Sequence, residues 1–407
     1  MNDASSFRAV KKCEAIIPAL VLGSAYTTLA AARGLGQCGV RVICPSDSLG
    51  YLANSRYISK RPRGLKALAE FSSLRDYLEA ADLPGAVLIP CSDHWVREVA
   101  ALPQSLSDRF CSSSPSKEIV AILLNKAKLA TFLKQKGIAA PLTLVLESES
   151  DIDQWPGELF ENSFLKPCDS QRFNACFRRK AFRVRSREDA VGLYRQTAAK
   201  GIDMVLQEYV PGPGSEHYFI EGFIDAGGKL RGLLARRRLR MYPVDFGDST
   251  YSRTVPLTLF GDLGERLYTV LSSLRYRGIF SAEFKHDLRD GQFKLLEINT
   301  RVWWQFGIAM DSGMNFVAMA YRDALGQPVD PVDSYRVGVG WVAIGSDKKA
   351  CWALHRRGEL SLGSWLWSWL TSTKELLRWD DPYPYLGQLR YRITSILRQI
   401  FNKSHRA

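Results

Sequence analysis

The stretch "AEFKHDLRDGQFKLLEINTRVWW", residues 282–304, carries the pattern around which the rest of the chain can be organised. Asp290 and Gly291 supply turn chemistry between two apolar runs, which predicts a β-hairpin. Alternate residues of a strand point to one face, so Glu297, Asn299 and Arg301 line one side of the second strand, and pairing brings Glu283 of the first strand beside them. The acids interrupt the apolar runs "IFSAEF" and "KLLEIN", surroundings in which carboxylates are seldom placed without a partner. Hard oxygen donors on adjacent strands suit Mg²⁺, which takes one or two carboxylates together with phosphate oxygens, and Arg301 on the same face suits a phosphate. The plain alternative is an ion-pair ladder on an exposed hairpin.

Length and composition bound what surrounds the hairpin. The chain has 407 residues, 46% hydrophobic and 24% charged, which describes an ordinary globular protein long enough for roughly two or three domains. No apolar run approaches the roughly 20 residues of a membrane helix, and the N-terminal segment lacks the apolar centre of a secretory signal, so a cytoplasmic protein is expected. Cys13, Cys38, Cys44, Cys91, Cys111, Cys168, Cys176 and Cys351 form no CxxC pair, which argues against a disulfide framework or a zinc site. The 55 Lys and Arg against 42 Asp and Glu give +13, favouring anionic partners. The basic residues are dispersed and match no nucleic-acid-binding pattern, so no nucleic-acid partner is expected.

Upstream, "IIPALVLGSAYTTLAAARGLGQCGVRVICPSD" predicts a buried strand, a turn at Gly23 and Ser24, a helix ended by Gly36 or Gly39, and a second strand. With the strand "GAVLIP" and the helix "CSDHWVREVAAL", residues 1–110 form an N-terminal parallel α/β domain. The segment "CSSSPSKEIVAILLNKAKLATFLKQKGIAAPLT" predicts a helix pair with Lys126 and Lys128 at the start of the second helix and Gly137 past its end. Short strands follow around 163–170, 179–184, 204–212, 217–225 and 230–243, with one helix near 186–201.

In this order the residues resemble the ATP-grasp superfamily of carboxylate-amine and carboxylate-thiol ligases, over residues 15–330, with the greatest likeness to its carboxylate-amine ligase and carbamoyl-phosphate-synthase-like branch. The resemblance implies a multidomain α/β and α+β protein: a pre-ATP-grasp domain, a two-subdomain ATP-grasp domain over 111–330, and a partly amphipathic helical extension over 331–407. It implies ATP as cosubstrate and Mg²⁺ or Mn²⁺ held by Glu283, Glu297 and Asn299, with Arg301 and Lys166 as catalytic residues. Lys126 in "LNKAKLATFLKQKGIAAP" is similar to the first phosphate-contacting lysine, and Lys166 in "FLKPCDS" to the second. "LQEYVPGPGSEHYF" resembles the adenine clamp, with Gln207 and Glu208 on the exocyclic amine, Tyr209 and Val210 as backbone contacts and Glu216 on the ribose. The chain departs from the family in its lid: "CDSQRFNACFRRKAF" contains no glycine, so Ser170, Arg178, Arg179 and Lys180 are expected to stand in for the usual backbone amides.

The activity so implied is activation of a carboxylate as an acyl phosphate, followed by attack of an amine. The alternative is an ATP-binding homologue without ligase activity, acting in regulation or assembly. Arg236, Arg238 and Arg240 in "LLARRRLRMYP" fall on one face of a strand that, by the resemblance, borders the substrate pocket, where they would grip a carboxylate; a charged edge strand is the competing reading. Trp303 and Trp304 either wall that pocket or pack on the following helix, and His217 and His286 read as structural. In the tail, Trp365, Leu366, Trp369, Leu370, Leu376 and Leu377 fall near one helical face, and Arg390, Arg392, Arg398 and Lys403 surround an apolar stripe. Peripheral contact with a membrane, a homodimer contact or packing on the body are the readings of that tail.

Overall fold

The computed structural model describes residues 17–244 and 247–404. Strand β1 (Ala19–Leu22) is entirely apolar and buried on both faces, as a central parallel strand requires. It pairs with β2 (Val42–Ile43) on one side and β3 (Val87–Pro90) on the other, giving a parallel sheet in the order β2-β1-β3. Helix α1 (Tyr26–Gly36) links the first two strands, and α2 (Leu74–Ala80) precedes the third. Helices α3 (Asp93–Ala100) and α4 (Gln104–Ser107) follow it. Gly23 is required at the turn after β1 because a Cβ there would sit 2.5 Å from Thr28 Oγ1.

Helices α5 (Lys117–Leu123) and α6 (Lys126–Gln135) form the expected pair, with the Asn125 side chain capping α6 at the Lys128 amide. A four-stranded antiparallel sheet follows, in the order β4-β7-β5-β6, from β4 (Thr143–Leu146), β5 (Ser163–Pro167), β6 (Phe182–Val184) and β7 (Met204–Glu208). Helix α7 (Ser170–Phe177) lies between β5 and β6, and α8 (Arg187–Ala198) between β6 and β7. The glycine-free segment is therefore helical where a lid loop was expected. Phe173 is fully buried against Phe177 and Phe182, and that aromatic contact is what a side-chain-driven helix gains over a glycine loop.

The third sheet has seven strands. Strands β8 (His217–Ile224), β9 (Leu230–Tyr242) and β10 (Asp248–Val255) are joined through α9 (Leu263–Ser273) to the hairpin β11 (Gly278–Asp287) and β12 (Gln292–Asn299). Helices α10 (Gly307–Asp311) and α11 (Phe316–Ala324) then lead to β13 (Gly340–Val342), α12 (Ile344–Arg356), α13 (Leu362–Leu370), β14 (Thr373–Lys374) and α14 (Tyr383–Ser404). The sheet order is β12-β11-β8-β9-β10-β13-β14. Residues 331–407, expected as a partly amphipathic helical extension, thus contribute two strands to the main sheet. Leu376 and Leu377 lie beyond β14 rather than on the helical face with Trp365, and Leu376 is 3% exposed in a core shared with α1 and α11. Pairing of β13 with the unsatisfied edge of β10 overrides the helical appearance of the tail. The Lys403 side chain lies outside the described residues.

Candidate active site

The hairpin pairs antiparallel with Glu283 opposite Glu297 and Ser281 opposite Asn299, so the two acids and the amide share a face. His217 Nδ1 donates to Glu283 Oε1 at 2.7 Å, and Arg238 Nη2 donates to the same oxygen at 3.0 Å. Burial opposes ionisation of Glu283, but the charges and hydrogen bonds from Arg238 and His217 outweigh it and hold the carboxyl well below its usual range. Burial lowers the His217 pKa to about 4 in spite of Glu283, so at neutral pH the imidazole is an uncharged donor. Glu297 is exposed, and its Oε1 accepts from Asn299 Nδ2 at 3.0 Å.

Arg301 Nη2 donates to Asn299 Oδ1 at 3.3 Å, while its Nε donates to Asp93 Oδ1 at 2.6 Å. Asp93, at the start of α3, was not among the residues singled out from the sequence. Next to it in the chain, His94 and Trp95 line with Gly23 and Ser24 a cavity of about 280 Å³ at the carboxyl ends of β1 and β3. Crevices at the carboxyl ends of parallel strands are where open α/β sheets bind ligands.

From β5 of the four-stranded sheet, Lys166 Nζ donates to Gln207 Oε1 at 2.7 Å, and from the first turn of α6 Lys126 Nζ donates to Ser170 Oγ at 3.0 Å. Burial and the neighbouring Lys126 lower the Lys166 pKa to about 8, while Glu297 and Glu283 act in the opposite sense. One lysine from a helix, one from a strand and two carboxylates from the hairpin are thus close enough for the other three to act on the Lys166 charge. The clamp segment is tied down by protein groups: Glu208 accepts from the Leu142 amide at 3.1 Å and from Arg289, and the Tyr209 N–H donates to Asn162 O at 2.7 Å. A Tyr209 backbone contact to a base would use its carbonyl instead, beside Val210 on the same edge. Glu216 accepts from Arg237 at 2.6 Å and lies 3.1 Å from His286 Nδ1. Lys285, also not foreseen, fixes the clamp's Pro-Gly turn to the hairpin through Gly212 O at 3.0 Å and Pro213 O at 2.6 Å.

The three strand arginines do not share a face. Arg236 pairs with buried Glu221 at 2.9 Å and Arg238 with Glu283, but the register slips at Leu239, where Tyr251 pairs with Arg240 and Ser252 with Arg238. That bulge turns Arg240 to the opposite side, where it holds Asp347 of α12 in a two-pronged pair at 2.9 and 2.8 Å. A carboxylate grip by Arg240 is thereby replaced by a structural ion pair. Of the lid residues expected at the phosphates, Ser170 reaches Lys126, and Lys180 pairs with Asp248 at 2.7 Å. Trp303 is 3% exposed and packs on Phe306 and Phe316; Trp304 stacks on Tyr26 with ring centroids 6.2 Å apart.

No family model matches the chain. A D-aspartate ligase of Enterococcus faecium (strain Aus0004) is 23% identical over 334 residues, covering 76% of this chain and 77% of that protein. The biotin carboxylase domain dimer of Hydrogenobacter thermophilus 2-oxoglutarate carboxylase, solved with MgADP, ADP and bicarbonate, superposes with TM-score 0.62 at 14% identity, covering 80% of this chain and 74% of that one. The L-amino acid ligase of Bacillus licheniformis gives TM-score 0.57 at 14% identity, over 76% and 74%. The chain has the ATP-grasp fold.

Among the described residues no cluster of three His, Cys, Asp or Glu side chains forms a metal site. The ATP-grasp hairpin does not need one: two carboxylates and an amide oxygen fit Mg²⁺, whose remaining ligands are water and phosphate oxygens. At the opposite edge of the sheet from the hairpin, Glu375 follows β14 and accepts a hydrogen bond from Trp304 Nε1. Burial raises its pKa from 4.5 to about 7, against the lowering effects of Trp304 and Arg33. An acid whose folded pKa lies above its unfolded value stabilises the fold fully below pH 4.5 and loses that contribution as pH rises through 7. Urea denaturation from pH 4.5 to 8 is expected to show a decline on the order of 2 kcal/mol from this group, which Glu375→Gln removes by keeping the acceptor without the charge.

Proposed function

We propose that this chain is an ATP- and Mg²⁺-dependent ligase that activates a carboxylate as an acyl phosphate and joins it to an amine. The observation that carries this reading is the convergence of Lys126 of α6 and Lys166 of β5 with Glu283 and Glu297 of the hairpin, the other three charges all acting on the Lys166 ammonium. In this reading Glu283, Glu297 and Asn299 would hold the metal, which would neutralise charge on the transferred phosphoryl group. Lys126 and Lys166 hold the phosphates and Gln207 orients Lys166. Tyr209, Val210, Glu208 and Glu216 border the nucleotide, with Arg289 and Arg237 fixing the two acids. Arg301, anchored by Asp93, stabilises the transferred phosphoryl group beside the cavity at Gly23 and Ser24, where the acceptor would enter. A carboxylate oxygen attacks the γ-phosphorus and ADP leaves; the amine nitrogen then attacks the acyl carbon, and phosphate leaves with loss of a proton from nitrogen. Likeness to the D-aspartate ligase supports an amino acid as one substrate. We assign its carboxylate to Arg238, which would share its guanidinium between Glu283 and the substrate.

The experiment is ADP release from the full chain with MgATP against pools of D- and L-amino acids, other small carboxylates and sugar acids. Release confined to one pool supports the reading and narrows the substrate. Silence with every pool, alongside measurable ATP binding, overturns it in favour of a non-catalytic ATP binder.

Use of ATP fits a cytoplasmic location, and among the described residues no helix is long and apolar enough to cross a membrane. We further propose peripheral contact with anionic lipid through α14, where Leu386, Leu389 and Ile393 are exposed at alternating spacings of three and four beside Arg390, Arg392 and Arg398. The helix carries no acid, so a homodimer would bring like charges together at this surface and would use another face. Sedimentation with phosphatidylglycerol vesicles but not phosphatidylcholine vesicles is expected, and Arg390→Glu with Arg392→Glu should weaken it about 30-fold, at roughly 1 kcal/mol per basic residue lost. Equal sedimentation of the double variant would refute the contact.

A further inference from the structure

On the sheet face opposite Glu283, the bulge at Leu239 and the helices α12 and α13 enclose a groove of about 640 Å³. Its size lies within the range of small-molecule sites, and its walls combine apolar and charged groups. Leu239, Leu354, Leu360 and Trp367 supply the apolar part; Arg253 and Glu359 supply opposite charges.

Arg253 differs from its neighbours on the sheet. Arg236, Arg237, Arg238 and Arg240 each hold a carboxylate, at 2.9, 2.6, 3.0 and 2.8 Å. Among the described residues no carboxylate lies within ion-pair distance of Arg253, and its Nε is buried without an acceptor. The hydroxyl of Tyr251, a groove residue 3% exposed, is likewise buried without a partner. Orphaned polar atoms are costly, and a fork-shaped cation without an anion is matched by a carboxylate.

We propose that this groove is a second small-molecule site for a zwitterionic amino acid or dipeptide with apolar side chains. Its carboxylate pairs with Arg253, its ammonium meets Glu359 at the rim, and its side chains lie against Leu354, Leu360 and Trp367. The groove is separate from the ligase site: Arg238 and Glu283 lie on the other face of the sheet, and ATP is not required for occupancy.

The test is calorimetric titration of the full chain with leucyl-leucine in the absence of ATP. Saturable binding is expected, at least 10-fold weaker in Arg253→Met, and weaker with N-acetyl-leucyl-leucine, which lacks the ammonium. Arg301→Met, altered at the ligase site in a partly exposed ion pair, should bind as the wild type does. Arg253→Lys keeps the charge without the fork and gives intermediate affinity, and it serves as the variant should Arg253→Met not fold. The proposal is overturned by no saturable heat up to about 10 mM dipeptide, by equal affinity in the Arg253 variants, or by loss of binding in Arg301→Met, which would place the ligand at the ligase site. A failure of ligase activity leaves this outcome untouched.

Discussion

Glu297→Ala is expected to lower substrate-dependent ADP release about 10²- to 10³-fold, the loss of roughly 3–4 kcal/mol of transition-state stabilisation. The choice of Glu297 over Glu283 follows from their surroundings. Glu283 is locked by His217 and Arg238, so its removal would leave Arg238, 6% exposed, without its carboxylate and would mix a folding defect with a catalytic one. Glu297 is exposed, and its hydrogen bond from Asn299 can pass to water. Lys166, whose contact is Gln207, is expected to keep its place in the variant, so nucleotide binding should fall much less than turnover. The measurement is a coupled ADP assay at several Mg²⁺ concentrations beside nucleotide titration. A rate within a few-fold of wild type at all Mg²⁺ levels would remove Glu297 from the metal-holding role.

Asp381→Ala is expected to destabilise the fold by about 3–5 kcal/mol, because it strands a buried charge. Asp381 is fully buried, and its carboxylate receives Arg33 Nε at 2.9 Å, Ser55 Oγ at 2.7 Å and the Arg56 amide at 3.0 Å. Arg33, 3% exposed on α1, also donates to Glu375 O at 3.0 Å and Leu376 O at 2.9 Å, so one guanidinium fastens the end of the chain to its beginning. Asp381→Asn keeps an acceptor for Arg33 and should fall between the two. Urea denaturation monitored by tryptophan fluorescence reads the difference; a loss below about 1 kcal/mol would mean that the ion pair is no anchor.

The hairpin was legible because its turn and its alternation are local: an Asp-Gly turn closes it, and the two-residue period of a strand puts Glu297 and Asn299 on one face. The register at the turn alone would pair Glu283 with Leu296; a bulge at Leu296, which the alternation does not show, slips the pairing by one and sets Glu283 opposite Glu297. Helix α6 was legible for the same reason, with Gly137 just past its end; the Asn125 cap before it came from the structure. The arginines of β9 show where the argument fails. The same two-residue period groups Arg236, Arg238 and Arg240, but a one-residue bulge at Leu239, produced by pairing with β10, inverts every side chain beyond it. The lid failed differently: the absence of glycine was visible, whereas the packing of Phe173 and Phe177 against Phe182 that makes the segment a helix depends on a strand yet to be formed.

By itself the sequence determined the order of elements as far as β12, the hairpin and the ATP-grasp likeness, since each rests on spacing within a few residues or on motifs met in a set order. Only the tertiary structure decided that Arg301 meets Asp93, that His217 meets Glu283, that Arg240 belongs to α12 and that the tail completes the main sheet. Those contacts join residues 208, 66, 107 and, for the Arg33–Asp381 pair, 348 positions apart. No local propensity encodes such pairs. They form where burial of the surrounding apolar faces brings the polar groups together, and a buried charge then requires the one partner within reach.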